Sequence, residues 1–145
     1  MNGDNQHQYV SELRTVLTRL IKKLRKESVT AQHLSLTERS AIGLLYQHKE
    51  LLPSELAAME KITNQSMSQI LNHLLELGYI IRTGSITDKR KVIISLSADG
   101  EAFLMQTRNE RDRWLTKAIE QTCTAEEQEL LKQTLIPLTK IVDFE

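Results

Sequence analysis

Apolar positions recur every three or four residues near the amino terminus, where they predict a long amphipathic helix from about Tyr9 to Lys26. Thr37 has a side chain suited to capping a second helix, which the same apolar spacing carries through Tyr46. The first third of the chain is therefore predicted to be helical.

The middle of the chain combines short elements with clear start and stop signals. The two leucines at 51–52 are too few for more than a bridge of strand, and Pro53 suits the first turn of a short helix over residues 54–60. Thr63 is a good N-cap for the next helix, and Gly78 readily adopts the left-handed conformation that ends helices. Two helices joined by a short turn are thus predicted here.

Two β-branched runs follow, YIIRT and KVIISL, separated by a loop that contains Gly84 and Asp88. In the second run Val92, Ile94 and Leu96 share one face of a strand, so they are expected to anchor a hairpin to the core. A short helix, a turn, a capped helix and a hairpin, in this order, are typical of a winged helix-turn-helix with the hairpin as its wing.

Two more helices are predicted beyond the hairpin. Ser97 caps the first, which is long, and the sequence TAEE at residues 124–127 is a capping box that opens the second towards Val142. Pro137 should kink this last helix or end its regular part. The predicted fold class is therefore mainly α with a small β-hairpin wing: a winged helix-turn-helix with additional N- and C-terminal helices.

The helix that follows Thr63 carries an uncharged polar face. Opposite its apolar stripe, side chains that can hydrogen-bond are spaced at i, i+3, i+4 and i+7, namely Gln65, Ser68, Gln69 and Asn72. An ordinary solvated helix face usually includes Lys and Glu. Gln and Asn match the adenine edge in the major groove, and Ser is less selective. This face therefore favours DNA reading over simple solvation.

Three consecutive cations, Lys89, Arg90 and Lys91, lie at the tip of the predicted hairpin, and only Asp88 opposes them locally. Beside a helix-turn-helix, their obvious partner is phosphate, and Arg can enter a narrow A·T-rich minor groove. Asp88 is expected to brace the Arg90 guanidinium, a role that is compatible with forming the turn. The alternative is a solvated hairpin tip, where charge costs little.

Two strings carry a resemblance to a known family. DKRKVIISLSADG resembles the wing signature of MarR-type regulators, and SELAAMEKITNQSMSQILNHLLELGYIIR resembles the helix-turn-helix of that family. The resemblance spans the whole chain. It implies a homodimeric repressor, often released from DNA by a small ligand or oxidant. It also points to Ser66, Ser68 and Gln69 near bases and to Asp88 and Arg90 in the wing.

The sequence departs from the family pattern at Gln69 and His73, which stand where many members have Arg. The resemblance therefore implies less phosphate attraction from this helix than is usual. The complete set of expected DNA contacts comprises Asn64, Gln65, Ser66, Ser68, Gln69 and Asn72 on the helix, with Asp88, Lys89, Arg90 and Lys91 on the wing.

The outer helices carry apolar stripes that one small lobe cannot cover, so dimerisation is expected. The chain is interpreted as a single MarR-like domain in which residues 1–34 and 101–145 are dimerisation helices and residues 35–100 form the winged helix lobe. The expected partners are a pseudo-palindromic operator in double-stranded DNA, a second copy of the chain and, as often in the family, a small-molecule effector.

Composition argues against several other classes of protein. The formal net charge of zero conceals an uneven distribution, since residues 1–30 hold six basic and three acidic side chains while residues 101–145 hold six and nine. An aromatic content of 4% argues against the stacking platforms of single-strand binders. No apolar run reaches the roughly 20 residues of a membrane span, and the amino terminus lacks the apolar core of a signal peptide, so a cytoplasmic location is expected.

Catalytic and metal-binding chemistry has little support in the sequence. Four histidines are scattered without HxxxH or HExxH spacing, and Cys123 lies between two predicted helices, so neither a metal site nor a reactive thiol is expected. Gly-rich phosphate loops and nucleophile elbows are absent, so no enzyme activity and no cofactor are expected. A winged-helix adaptor, whose wing contacts an acidic protein surface, is the alternative to a DNA-binding regulator.

Overall fold

The computed structural model describes residues 2–88 and 90–145, so the predicted contact residue Lys89 lies outside the described residues. This part of the chain forms helices and three short strands, with one turn of 3-10 helix at Val29–Ala31. In chain order the elements are α1 (Asn2–Lys26), α2 (Leu36–His48), β1 (Glu50–Leu51), α3 (Pro53–Glu60), α4 (Asn64–Glu76), β2 (Ile80–Gly84), β3 (Val92–Leu96), α5 (Ala98–Thr122) and α6 (Ala125–Val142).

Helix α1 begins at Asn2 rather than near Tyr9, where the apolar pattern starts. Its first two turns are polar and therefore give no periodic signal. Asp4 stands in the first turn, where a carboxylate opposes the partial positive charge of the helix amino terminus. Gln8 donates a hydrogen bond to Glu12 one turn further on, at 3.1 Å. Local polar interactions of this kind, not burial, accompany the extension of the helix.

The prediction that Thr37 caps the second helix was wrong, because the cap is Ser35. The Glu38 N–H donates to Ser35 Oγ at 3.1 Å, and the Ser35 N–H donates to the Glu38 carboxylate at 2.9 Å. This reciprocal capping box satisfies two amides that the helix itself cannot pair. Thr37 has Ser40 three residues later and cannot form the same box. The helix also runs past the predicted end at Tyr46.

Most of the other start and stop signals behave as predicted. Pro53 occupies the first turn of α3, Thr63 caps α4, and Gly78 has a left-handed backbone with φ of 79°. Thr124 opens α6 with a capping box. Pro137 lies inside α6 without ending it, since the helix continues to Val142.

The three strands form one antiparallel sheet in the order β1–β3–β2. β2 and β3 are the predicted hairpin, with Gly84 opposite Val92 at its outer end. Ile94 is fully buried and its neighbours on the same face, Val92 and Leu96, are half-buried. The predicted face therefore anchors the hairpin to the core.

Residues 28–110 form one of two compact units and contain the helix-turn-helix, the wing and the core. Its boundaries lie outside those predicted for the winged helix lobe, because residues 28–34 pack with the first half of α5. The Thr30 N–H donates to the Glu110 carboxylate at 3.3 Å, and Ser28 and Thr107 are buried. The largest fully buried apolar side chains of this unit are Ile42, Leu45, Leu56, Met67, Leu71, Leu74 and Ile94.

The second compact unit comprises residues 1–27 and 111–145, that is, α1, the second half of α5, and α6. Among its described side chains none is fully buried. Large apolar side chains on α1 and α6 are instead exposed to solvent: Tyr9, Val10, Val16, Ile21, Leu130, Leu135, Ile136 and Ile141. Much of the apolar surface of the described residues of this unit is therefore open to solvent. No helix in the described residues is both long and apolar enough to cross a membrane.

A junction between α4, β2 and α5 is formed around Ser97. Its hydroxyl donates to the Gly78 carbonyl at 2.5 Å and accepts the Gly100 N–H at 3.0 Å, while its own N–H donates to the Tyr79 carbonyl at 3.0 Å. A Cβ atom on Gly100 would lie 2.0 Å from the Tyr79 carbonyl oxygen. Glycine is therefore required at position 100, because two backbone segments approach there with no room for a side chain.

We predict that Gly100→Ala lowers the free energy of unfolding by about 2 kcal/mol or more, since backbone must shift to admit the methyl group. Gly43→Ala is the matched control, because position 43 is also helical and a Cβ there meets no atom within 4 Å. That control should gain about 0.5–1 kcal/mol from helix propensity. Urea denaturation at one protein concentration measures both changes. Equal stability of the two variants would contradict the close approach at Gly100.

Candidate nucleic-acid interface

Helix α4 presents the predicted polar face to solvent. Its inner side is fixed by Met67, Leu71 and Leu74, which are fully buried. The predicted contact residues of this helix are all exposed, namely Asn64, Gln65, Ser66, Ser68, Gln69 and Asn72. Four of these, Gln65, Ser68, Gln69 and Asn72, form what we call the reading face of α4. Four of the six predicted helix residues thus share one surface, and Asn64 and Ser66 lie in the first turn of the helix.

The amino-terminal end of α4 is closed by Thr63. Its Oγ accepts the Ser66 N–H at 3.1 Å, and its hydroxyl lies 2.9 Å from Ser66 Oγ. Ser66 therefore takes part in the cap, and its hydroxyl hydrogen remains able to face outwards. The other free amides of this helix end carry partial positive charge and suit a phosphate oxygen.

The carboxy-terminal end of α4 is held by α2 through an unpredicted contact. His73 Nδ1 lies 2.6 Å from Glu38 Oε1, with the two side chains 43% and 12% exposed. Glu38 uses its other oxygen in the α2 capping box. His73, one of the two positions where the resemblance leads one to expect Arg, is therefore engaged within the protein. It is not free to contribute to phosphate attraction in the manner of an outward-facing Arg.

Arg82 on β2 is an exposed cation that sequence reasoning did not single out. Its guanidinium donates to Asn72 Oδ1 at 3.5 Å, at the edge of the reading face. The contact leaves the Asn72 amide nitrogen as a donor. The signal in the sequence was the single charged residue in the run YIIRT. Because β2 starts only a few residues after α4 ends, Arg82 places a cation between the surface of α4 and the tip of the wing.

The wing tip, residues 85–91, forms an ordered turn in its described part. The Ser85 N–H donates to the Lys91 carbonyl at 2.9 Å, and the Lys91 N–H donates to the Asp88 carbonyl at 3.0 Å. The Asp88 N–H in turn donates to Ser85 Oγ at 3.3 Å. Arg90 and Lys91 are exposed at this turn.

The expected bracing of the Arg90 guanidinium by Asp88 takes a different form. Asp88 Oδ1 accepts the backbone N–H of Arg90 at 3.0 Å, a turn-forming contact. No ion pair joins the two side chains in the described part of the wing. A carboxylate two residues before an amide closes a turn more readily than it reaches a flexible guanidinium. The Arg90 side chain is consequently left available to another anion.

The remaining candidates for chemistry do not form a second site. His33 packs edge-on against Phe103 at 5.7 Å, and Tyr79 stacks on Phe103 at 4.5 Å, so this histidine belongs to an aromatic cluster. Cys123 is half-buried and lies 3.7 Å from the Thr122 hydroxyl. Within residues 2–88 and 90–145, no three His, Cys, Asp or Glu side chains are arranged to hold a metal ion.

Comparison with known proteins identifies a matching family and related proteins. The family model described as MarR family matches residues 34–91, which include all of α4 and most of the wing. The HTH-type transcriptional regulator FarR of Neisseria gonorrhoeae is 32% identical over 102 residues, which is 70% of this chain and 69% of that protein.

Solved structures share the architecture along nearly the whole chain. A crystal structure of a proposed transcriptional regulator of Pseudomonas aeruginosa PA01 is 28% identical and has a TM-score of 0.86, covering 97% of this chain and 98% of that one. A mutant of Staphylococcus aureus MepR bound to an oligodeoxyribonucleotide has a TM-score of 0.71 at 19% identity, covering 93% and 98%. The fold class predicted from the sequence is thereby confirmed.

Proposed function

The chain belongs to the MarR family of transcriptional regulators, and we propose that it acts as a homodimeric repressor that reads a pseudo-palindromic operator in double-stranded DNA. The observation that carries the proposal is the uncharged reading face of α4 beside a cationic wing. DNA binding and transcriptional regulation follow from the family. The contacts, the assembly and the direction of regulation are the proposal.

Base reading is assigned to the reading face. Gln69 and Gln65 present amides that can donate to and accept from an adenine edge, and Ser68 adds a hydroxyl of broader selectivity. All three side chains are exposed, and the helix that carries them is held by a buried inner stripe. Rigid presentation favours a base contact, because little side-chain and backbone freedom has to be lost on binding.

Backbone and minor-groove contact is assigned to the wing. Arg90 and Lys91 are exposed on an ordered turn, and Lys89 is a third cation in sequence at the same tip. Arg82 extends the cationic surface towards α4. Cations of this kind neutralise phosphates and displace counterions, and an arginine is favoured in a narrow A·T-rich minor groove.

Dimerisation is assigned to the unit of residues 1–27 and 111–145. Its exposed apolar side chains on α1 and α6, among them Ile136 at 67% and Tyr9 at 62%, form more hydrophobic surface than a soluble monomer usually leaves open. Most oligomers of this kind have two-fold symmetry, which matches the symmetry of a palindromic site. We expect the two α4 helices to lie about 34 Å apart, one turn of DNA.

Release by a small ligand or oxidant is proposed from the family resemblance, without a ligand being specified. A cytoplasmic location is inferred because a regulator of transcription works where the chromosomal DNA lies. Nothing in the described residues assembles a catalytic constellation, and we propose no enzyme activity.

The first test is selection of random duplexes by the wild-type protein, which should yield an inverted repeat. On the selected duplex, Gln69→Ala should lose about 1–3 kcal/mol of binding free energy while binding to random DNA changes little, because a base contact is lost and phosphate contacts are kept. Fluorescence anisotropy measures both affinities. Equal weakening on the two duplexes would assign Gln69 to backbone contact or to folding.

The wing is tested by Arg90→Ala. Removal of one cation from each protomer should flatten the slope of log affinity against log salt by up to about 2 units, with a larger loss of affinity on A·T-rich flanks than on G·C-rich flanks. The free energy of unfolding should change by no more than about 0.5 kcal/mol, since Arg90 is exposed. If neither the salt slope nor the affinity changes, the wing does not contact DNA, and the protein-adaptor alternative is favoured instead.

Assembly is tested by sedimentation velocity at micromolar concentration, where we expect a dimer. Ile136→Glu places a charge on the exposed apolar surface and should shift the equilibrium towards monomer by at least about tenfold. Gln133→Glu is the control for charge, since residue 133 is a polar, exposed position on the same helix. A monomer at all concentrations in the wild type would contradict the proposed dimer.

A further inference from the structure

One residue of the wing tip does not fit a purely electrostatic role. Ile86 is 101% exposed, the most exposed of the large apolar side chains in the described chain. It is also the sole apolar residue in the loop sequence SITDKRK between β2 and β3. Single exposed apolar residues are common on protein surfaces, so exposure alone decides nothing. The surroundings of Ile86 are what make it informative.

Hydrogen bonds connect the residues on either side of Ile86. Ser85 Oγ lies 3.1 Å from Thr87 Oγ and accepts the Asp88 N–H at 3.3 Å. The Ser85 N–H is paired with the Lys91 carbonyl at 2.9 Å, which closes the turn from the other side. These contacts hold the backbone on both sides of Ile86, so its side chain projects from a fixed turn and not from a loose loop.

The charge of the tip selects among the surfaces that could cover Ile86. Arg90 and Lys91 are exposed on the same turn, and Arg82 lies further down the hairpin. A lone apolar side chain among cations is far smaller than the apolar patches through which proteins dock on one another. Double-stranded DNA offers the complementary combination, because phosphates line the edges of its minor groove, apolar sugar surfaces lie within it, and base faces become accessible there when a step unstacks.

We infer that Ile86 enters the minor groove beside the operator half-site and wedges against a base step, while the cations of the wing tip hold the phosphates on either side. This inference rests on the proposed function and adds a specificity determinant to it. Apolar side chains that enter the minor groove partly unstack a step, and pyrimidine–purine steps such as TA yield most easily. Ile86 would therefore favour operators with a flexible step at that flank, at a position where no hydrogen bond reads the sequence.

The wedge differs from the arginine contact in its response to salt. An apolar contact releases no counterions, so Ile86→Ala should weaken binding to the selected duplex by roughly tenfold or more with an unchanged salt slope. Arg90→Ala should instead flatten the slope. Ile86→Leu keeps the apolar volume and should restore most of the affinity. Thr87→Ala is the control for the loop itself, since it removes only the contact to Ser85 Oγ.

Unstacking provides a readout that is independent of affinity. Duplexes from the selection are made with 2-aminopurine at each flanking step in turn, with either a TA or a GC step beside it. Wild-type protein and Ile86→Leu should raise the fluorescence at the same TA flank of each half-site, and Ile86→Ala should not. The loss of affinity in Ile86→Ala should be at least several-fold larger on TA flanks than on GC flanks.

The outcomes separate this inference from the proposed function. Specific binding by the wild type with no fluorescence change at any flank, or with equal losses on TA and GC flanks, overturns the wedge and leaves the regulator intact. A flattened salt slope in Ile86→Ala would also overturn it, because the variant would then act through displaced cations. Absence of any site-specific binding by the wild type would overturn both.

Discussion

The close approach of Gly100 to the Tyr79 carbonyl, with Ser97 hydrogen-bonded on both sides of the contact, is the constraint on which the unit of residues 28–110 depends. Helix ends leave amides and carbonyls that must find partners elsewhere. Here one serine side chain pairs with two backbone groups, the Gly78 carbonyl just beyond α4 and the Gly100 N–H in the first turn of α5. The Ser97 N–H donates to the carbonyl of Tyr79, the residue after Gly78. The end of α4, the start of β2 and the start of α5 therefore take one relative position.

That fixed position matters because the two elements that we propose to contact DNA, α4 and the wing, are adjacent in the chain. The end of α4 is closed by Gly78 in a left-handed conformation, with the Tyr79 N–H bonded to the Leu74 carbonyl at 3.0 Å. This terminal motif sends the chain directly into β2. His73 and Glu38 hold the same end of α4 against α2. The short, hydrogen-bonded connection thus fixes the position of the α4 side chains relative to the cations of the wing. Contact with two neighbouring grooves of DNA would require such a fixed arrangement.

Start and stop signals could be predicted from sequence because they act over a few residues. Thr63, Gly78 and Thr124 were found in this way, since a cap or a left-handed residue depends on its own turn alone. Thr37 was predicted as the cap of α2, but Ser35 has Glu38 three residues later and forms the reciprocal capping box instead. The contacts that were not predicted are those between elements. Neither the pairing of His73 with Glu38, 35 residues apart, nor the approach of Arg82 to Asn72 leaves a periodic trace in the sequence.

The distribution of charge explains how a neutral chain could still discriminate between DNA sequences. Residues 28–110 hold eight basic and nine acidic side chains, and four of the eight cations lie between residues 82 and 91. The reading face of α4 carries none. Sequence-independent affinity comes from phosphate neutralisation, so a helix whose reading face carries no cation adds little to the non-specific component. Specificity is the ratio of specific to non-specific affinity, and this ratio rises when the non-specific affinity is small. Hydrogen bonds from Gln and Asn amides would then supply a larger share of the total affinity than in a lobe with arginines on the same helix, at the cost of weaker binding overall.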